Sequence, residues 1–555
     1  MAGRTHNDAV MKRRIFTSVW AVCLWAALAG ACNGGPEATS RSVVGPVTLT
    51  PPNGLELRPV SLPDVSQMER SVRTQVLERA ASLRSTIARA GTPASDLASA
   101  YGEMGKLLMA AEQVEAAESC YVNAQALAPT DRRWPYYLGH LHRIRGPLAK
   151  SVAAFERALA LEPNDLPTIV WLGEVYLAQG RAEAAGPMFV RALTLDPGLV
   201  SAHFGAGRVA LANTDYADAA RHLEQTLAAN PQFTAAHYPL GMSYRGLRDV
   251  KRAEAHLRQQ GDLQILPIDP LMKDLDELLQ SPKAYDLRGA RALETGDFAA
   301  AAAYSRQGLA LESGNPSLRL RLGTALFQMG DARGALEQFE EVVRTSPEYA
   351  RGHYSLAVLL QAGGRHQEAI DRFSAAVKHE PGYVQARVGL AGALRQSGRL
   401  QEALAQYQEA RRINPSFPDA AHGYAMALVR MQRYQETRDT LADAMTRHPD
   451  QPMFPQALAR LLAAAPDARV RDGRRALALV EGLLKTQQTL ELGETLAMSL
   501  AEVGQYGQAA IVQRDVIAAT ERAGLDQLSR HMGENLKLYE RREPCRTPWR
   551  DDEMR

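Results

Sequence analysis

Apolar positions along most of this chain recur with helical spacing, and they do so in pairs of short segments. Residues 316–349 show the unit. Leu322, Gly323 and Leu326 lie on a first helix, Gly330-Asp331 makes a turn, and Ala335, Phe339 and Val342 space a second helix at i, i+4 and i+7. Pro347 then stops the helix, because it lacks an N–H and restricts the residue before it. The unit returns every 34 residues: Pro129, Pro163, Pro197 and Pro231, then Pro347, Pro381, Pro415 and Pro449. A glycine ladder keeps the same period through Gly105, Gly139, Gly173, Gly207 and Gly241, then Gly289 and Gly323. An aromatic ladder follows it through Tyr121, Phe155 and Phe189, then Phe339, Phe373 and Tyr407. Three residue types holding one period define a repeat array, in which stacked neighbours bury a continuous core.

The count is interrupted once. Pro231 and Pro347 are 116 residues apart, three periods with 14 left over, and the excess is placed at Ile268–Ser281. There Asp269 caps a helix with Pro270 at its first position, and Met272, Leu275, Leu278 and Leu279 give it an apolar face. Two arrays of five repeats, 98–267 and 282–451, therefore flank an inserted helix at 268–281, which is either a hinge or a rigid spacer packed on the groove or edge. Residues 64–97 read as N-terminal capping helices. Residues 452–555 read as a degenerate repeat and C-terminal cap, ending in a tail around Cys545 and Trp549 that either folds back on the cap or serves as a docking peptide.

Composition agrees with an all-α chain. Hydrophobic residues make up 46% of the 555 and aromatics only 6%, which leaves Ala and Leu, both strong helix formers, to supply the core. Lys and Arg number 64 against 62 Asp and Glu, so no basic excess marks a nucleic-acid binder. Four cysteines exclude a disulfide scaffold. The N-terminus differs from the rest: Met11-Lys12-Arg13-Arg14 precedes an apolar run from Ile15 to Gly30, the pattern of a signal peptide over residues 1–31. Leu28-Ala29-Gly30-Ala31-Cys32 resembles a bacterial lipobox, which implies that Cys32 is acylated and anchors the chain in the cell envelope. The alternative is cleavage at Ala29-Gly30-Ala31, giving a secreted chain in which Cys32 is incidental. The proline- and glycine-rich stretch 32–63 reads as a flexible tether.

The 34-residue pattern resembles the tetratricopeptide repeat family. The Leu-Gly pair (Leu138-Gly139, Leu172-Gly173, Leu240-Gly241, Leu322-Gly323), the tyrosine three residues later at Tyr176 and Tyr244, the small residue of the second helix (Ala185, Ala335, Ala369, Ala403), the aromatic and the closing proline all match. The resemblance covers about 98–451 and implies a right-handed superhelical solenoid of helical hairpins with helical caps. It also implies that first helices line a concave groove. In this sequence the groove positions then include Tyr136, His140 and Arg143, Phe204 and Arg208, Tyr238 and Arg245, and in the second array Tyr354. Aromatics interleaved with arginine suit an extended or helical peptide of some acidic character. The same aromatics equally suit packing of helix on helix. The Lys and Asn clamp by which some chaperone-binding members hold a C-terminal carboxylate has no counterpart here.

No catalytic motif interrupts the repeats. A P-loop, a dinucleotide-binding glycine fingerprint, HExxH, GxSxG and CxxCH are all missing from the sequence, and His140 and His142 diverge on one helix. Repeats and caps consume nearly the whole mature chain, so neither cofactor nor metal is expected. The expected function is a non-catalytic, membrane-tethered scaffold outside the cytoplasm that binds a protein or peptide. The alternative is an accessory, substrate-docking subunit of a separately encoded envelope or polymer-export enzyme.

Overall fold

Two ladders in the sequence turn out to be one packing device. Sixteen residues after Gly105, Gly139, Gly173 and Gly323 comes the ring of the second helix, and the ring lies against the glycine face. A Cβ on Gly139 would stand 2.6 Å from Phe155, one on Gly173 2.8 Å from Phe189, and one on Gly323 2.5 Å from Phe339. Only glycine lets the two helices of a hairpin approach that closely. Phe155, Phe189 and Phe339 are in consequence almost completely buried.

The computed structural model describes residues 48–50, 56–263 and 269–550; the basic apolar leader, Cys32 and the last five residues lie outside them. Helix α1 (Arg70–Ala88) precedes five hairpins: α2 and α3 (Ala94–Ala110, Val114–Leu127), α4 and α5 (Arg133–Arg145, Leu148–Leu161), α6 and α7 (Leu166–Ala178, Ala182–Leu195), α8 and α9 (Val200–Ala212, Tyr216–Ala229), α10 and α11 (His237–Gly246, Val250–Leu257). The inserted helix α12 (Pro270–Leu278) comes next. Five more hairpins follow: α13 and α14 (Pro282–Glu294, Phe298–Leu311), α15 and α16 (Pro316–Gln328, Ala332–Thr345), α17 and α18 (Ala350–Ala362, His366–His379), α19 and α20 (Val384–Gln396, Leu400–Ile413), α21 and α22 (Pro418–Arg430, Tyr434–Arg447). Helices α23 (Met453–Ala464), α24 (Gly473–Leu484), α25 (Leu490–Glu502), α26 (Tyr506–Arg522) and α27 (Asp526–Glu540) complete the chain. Two compact units result, residues 36–285 and the stretch from Asp286 to Arg555.

Local sequence fixes each hairpin. Asn315 caps α15 by accepting from the N–H groups of Ser317 and Leu318, both at 3.1 Å, with Pro316 in the first turn. Gly330 then takes φ +89°, the left-handed geometry that ends a helix, and Asp331 caps α16 through the Gly334 N–H at 2.8 Å. The equivalent turn position is filled by Glu112, Thr214, Arg248 and Gln432 elsewhere, each at positive φ without being glycine.

In the first unit the N-terminal side departs from the expectation of a tether. Residues 32–63 were expected to be a flexible tether; residues 32–47 and 51–55 of it lie outside the described residues, and in the remainder β1 (Thr48–Leu49) and β2 (Val60–Ser61) form an antiparallel ribbon laid on the first hairpin. Leu49, Val60 and Leu62 are buried in the same core as α1 to α3, and Asn123 of α3 exchanges two hydrogen bonds with the backbone of Arg58, at 2.7 and 2.8 Å. Three apolar side chains among the prolines suffice to anchor the strand, and a composition count overlooks them. The second unit closes on its own tail. Arg460 of α23 and Glu494 of α25 form a buried pair at 3.1 Å, and Arg460 also donates to the Pro548 carbonyl. Arg546 pairs with Glu502, and Cys545 is buried. The tail therefore folds back on the cap. Cys120 and Cys545 are free, buried thiols, one in each unit, and burial pushes both upward in pKa.

Candidate functional site

Successive first helices touch one another within each unit, as α6 does α8 and α19 does α21, whereas successive second helices stand farther apart. Each stack therefore curves with its first helices on the inner side, and the concave face is built from α4, α6, α8 and α10 in the first unit. The expected groove residues lie on these helices, but they do not form one open stripe.

Three of them converge on the inserted helix. Tyr136 of α4 donates from its hydroxyl to Asp269 Oδ2, and Trp171 of α6 donates to the same oxygen from Nε1 at 3.1 Å. The other carboxylate oxygen caps α12 by accepting from the Met272 N–H at 3.1 Å. One carboxylate thus serves a helix cap and a side-chain clamp at once, through charge-assisted bonds. His140 completes the wall: it is fully buried, its ring centroid lies 4.7 Å from that of Tyr136 and 5.1 Å from that of Trp171, and its Nε2 stands 3.8 Å from Asp269 Oδ2. Neither ring nitrogen of His140 has a hydrogen-bond partner. Arg143 stacks on the indole of Trp171 at 4.3 Å, bringing a cation behind the carboxylate clamp.

The electrostatics follow from burial. Desolvation, then the Asp269 carboxylate, pushes the Tyr136 phenol far above its ordinary range, so the phenol keeps its proton and donates. Desolvation, then the Arg143 charge, holds the His140 imidazole well below its ordinary range, so it is neutral. Arg143 is itself lowered by burial yet stays charged.

Further apolar and polar contacts hold α12 to the same unit. Leu275 is buried in the core shared by α1 to α8, with Leu271, Met272, Leu278 and Leu279 packed against it. Tyr137 donates to the Leu271 carbonyl at 3.3 Å, and Gln75 of α1 exchanges bonds with the Gln280 backbone at 2.6 and 3.1 Å. Lys273, Asp274, Asp276 and Glu277 face outward.

The remaining expected residues divide by exposure. Tyr136 and His140 were placed in the groove, with packing of helix on helix the alternative for the aromatics; both are completely buried, because α12 and the neighbouring rings cover them. Phe204 is likewise no open contact, since it packs on Phe233 at 4.8 Å, and Tyr354 in the second unit is enclosed by Phe373 and Tyr383. The spacing i, i+4, i+7 selects the helix side that meets the next hairpin as well as the groove, and Tyr136, Phe204 and Tyr354 go to the hairpin gap while Tyr238 does not. Arg208 is half-exposed beside Phe204 and binds both oxygens of Glu174, at 2.8 and 2.9 Å. Tyr238 and Arg245 are exposed. Sequence reasoning missed Trp171 and the second role of Asp269. Trp171 lies one position off the groove stripe, and its long indole reaches across. The Asp-Pro step marks a cap and is silent about the oxygen left over.

Among the described residues no group of three or more His, Cys, Asp or Glu could hold a metal ion, and no helix is long and apolar enough to cross a membrane. The fold and groove define a helical-repeat solenoid of the kind that holds another polypeptide. Family models described as tetratricopeptide repeat match residues 103–165, 204–260, 287–350, 320–377 and 354–421, with two further models matching 166–199 and 394–461. Together they span more than half of the chain, which belongs to the tetratricopeptide repeat family. Among solved structures the chain is similar to yeast Tom70, at 16% identity over 74% of this chain and 96% of that one, with a TM-score of 0.33. It is also similar to the MamA protein, at 21% identity over 30% and 92% with a TM-score of 0.28. MamA from residue 41 onward of Desulfovibrio magneticus RS-1 gives 20% identity over 31% and 96%, with a TM-score of 0.28. No curated protein matches the sequence.

Proposed function

We propose that this chain is a non-catalytic interaction scaffold, lipid-anchored through Cys32 outside the cytoplasm, that captures a partner polypeptide on its concave face. Tetratricopeptide repeats over more than half of the chain support the scaffold. The observation that carries the reading is the grip on α12: the inner face of the first hairpins already holds a helix end-on by its carboxylate and side-on by its apolar face. Helix-in-groove recognition uses the same elements, an apolar stripe with polar anchors at its end. The lipobox-like Leu28-Ala29-Gly30-Ala31-Cys32 supports the anchor, since several acyl chains at about 0.8 kcal/mol per buried CH₂ hold firmly to a bilayer.

Affinity capture from solubilised membranes, followed by mass spectrometry, tests the scaffold. One stoichiometric protein partner is expected, and purified protein that turns over a substrate unaided contradicts it. Mass spectrometry of the mature N-terminus tests the anchor: acylated Cys32 is expected, and a free thiol there refutes it.

A further inference from the structure

Residues 268–281 fall outside the 34-residue period, and no hairpin needs them to close. What α12 does contact is the inner face of the first unit, through side chains typical of a bound peptide. Its leading carboxylate is clamped by Tyr136 and Trp171, its apolar residues at the second, third, sixth and ninth positions after Asp269 lie inward, and its outer face is charged. Yet the fit is incomplete. His140 is wholly buried beside the clamp with both ring nitrogens unpartnered, and the Asp269 carboxylate stops 3.8 Å short of it. A buried imidazole N–H without an acceptor is unfavourable, so an occupant whose carboxylate reached His140 would be held better. The helix is also short, nine residues with one fully buried side chain, Leu275.

We propose that α12 is a resident stand-in for the partner: the ligand of this groove is a short amphipathic helix headed by a carboxylate, with apolar residues at the second, third, sixth and ninth positions, and it binds by displacing α12. The inference rests on the scaffold reading and names its ligand. Tethering gives α12 an effective concentration in the millimolar range, roughly, so an untethered helix of the same sequence competes poorly against it. Weakening α12 alone opens the groove, while weakening the clamp closes it to every carboxylate-headed helix.

The probe is a fluorescein-labelled peptide of residues 268–281, titrated by anisotropy against the full mature chain. Asp269→Asn with Leu275→Ala in the chain is expected to tighten peptide binding at least tenfold over wild type. Adding Tyr136→Phe and Trp171→Phe is expected to remove that gain. Helical content and melting are measured for each variant; where the double variant loses its fold, Asp269→Asn alone, which preserves side-chain size, is read in its place with the same expectation. An Asp269→Asn, Leu275→Ala variant that folds and binds the labelled peptide no tighter than wild type, or a gain that survives Tyr136→Phe with Trp171→Phe, overturns the proposal. A gain in peptide binding with no partner captured from membranes leaves the groove assignment standing and removes the scaffold reading. Partner capture with no gain in peptide binding does the reverse.

Discussion

The hydroxyl of Tyr136 donates to the carboxylate of Asp269, 133 positions further along the chain. The bond joins the second hairpin to the inserted helix, and its oxygen acceptor is shared with Trp171. Removing the hydroxyl leaves that oxygen with Trp171 as its one side-chain donor, in a site where the Asp269 side chain is only 9% exposed. Tyr136→Phe is therefore expected to destabilise the first unit by about 1–3 kcal/mol. In an Asp269→Asn background the same change should have a smaller effect, leaving a coupling of about 0.5–3 kcal/mol. Denaturant unfolding of the four proteins of the cycle measures it, and hydrogen exchange should show α12 opening faster in Tyr136→Phe. Additive effects would mean that the bond contributes nothing.

The glycine–ring device makes a reciprocal prediction. Gly139→Ala places a methyl 2.6 Å from the Phe155 ring, which must shift, at about 1–3 kcal/mol for overpacking. Phe155→Leu alone leaves a void and is also destabilising. Combined, the smaller side chain accommodates the methyl, and the double variant should be more stable than the sum of the single effects predicts. Thermal unfolding of all three, compared with wild type, decides the matter. The family itself offers the precedent within this chain, since Gly207 and Gly241 face Leu223 and Leu257 instead of rings.

Thr214 occupies the turn between α8 and α9 at φ +61°. A β-branched residue is strained there, where glycine is at ease and where Gly180 and Gly330 sit in equivalent turns. Thr214→Gly should raise stability by about 0.5–1 kcal/mol, the relief of strain exceeding the added entropy of the unfolded chain. A drop in melting temperature would contradict this account of the turn.

The pH dependence follows from histidines held neutral. His237 and His256 face each other through Nδ1 atoms 2.9 Å apart, as do His203 and His222 one period earlier. In each pair one ring donates and the other accepts. Burial lowers the His222, His237 and His256 imidazoles, with Arg221, His256 and Arg252 respectively adding to the effect, and His140 is lowered further. In the second unit, burial and Arg395 bring His422 down to about 4. A depressed folded-state pKa means that the unfolded chain binds protons first as pH falls. The stabilisation is therefore complete above the unfolded value of about 6.5 and declines below it, down to the folded values. The melting temperature should fall between pH 7 and 5, before carboxylates titrate appreciably. His237→Gln with His256→Gln should flatten that slope for the first unit, and His422→Leu for the second. An unchanged slope in these variants would show that other groups govern it.

The repeats, hairpin boundaries and the place of the inserted helix are legible in the sequence because each has a local cause: a cap, a turn, a stop, or a ring and its glycine seat. The clamp is not, because it joins positions 98 and 133 residues apart, and nothing local in Asp269-Pro270 reveals that its second oxygen reaches Trp171. Which of the stripe residues stay exposed was not legible for a related reason. Tyr136, Phe204 and Tyr354 follow the expected stripe, but they pack against rings of neighbouring helices, leaving Arg208, Tyr238 and Arg245 as the accessible members. The ribbon inside the expected tether was not legible because it hangs on three residues, Leu49, Val60 and Leu62, whose partners lie on helices that begin later in the chain.

The most direct test asks whether a captured partner and α12 compete for one surface. Partner bound to immobilised full-length protein is challenged with unlabelled peptide 268–281 and, in parallel, with the same peptide carrying Asn at position 269. The Asp-headed peptide is expected to release the partner, and the Asn-headed peptide to be at least tenfold less effective. A partner that stays bound at saturating Asp-headed peptide, or that both peptides release equally, would contradict it.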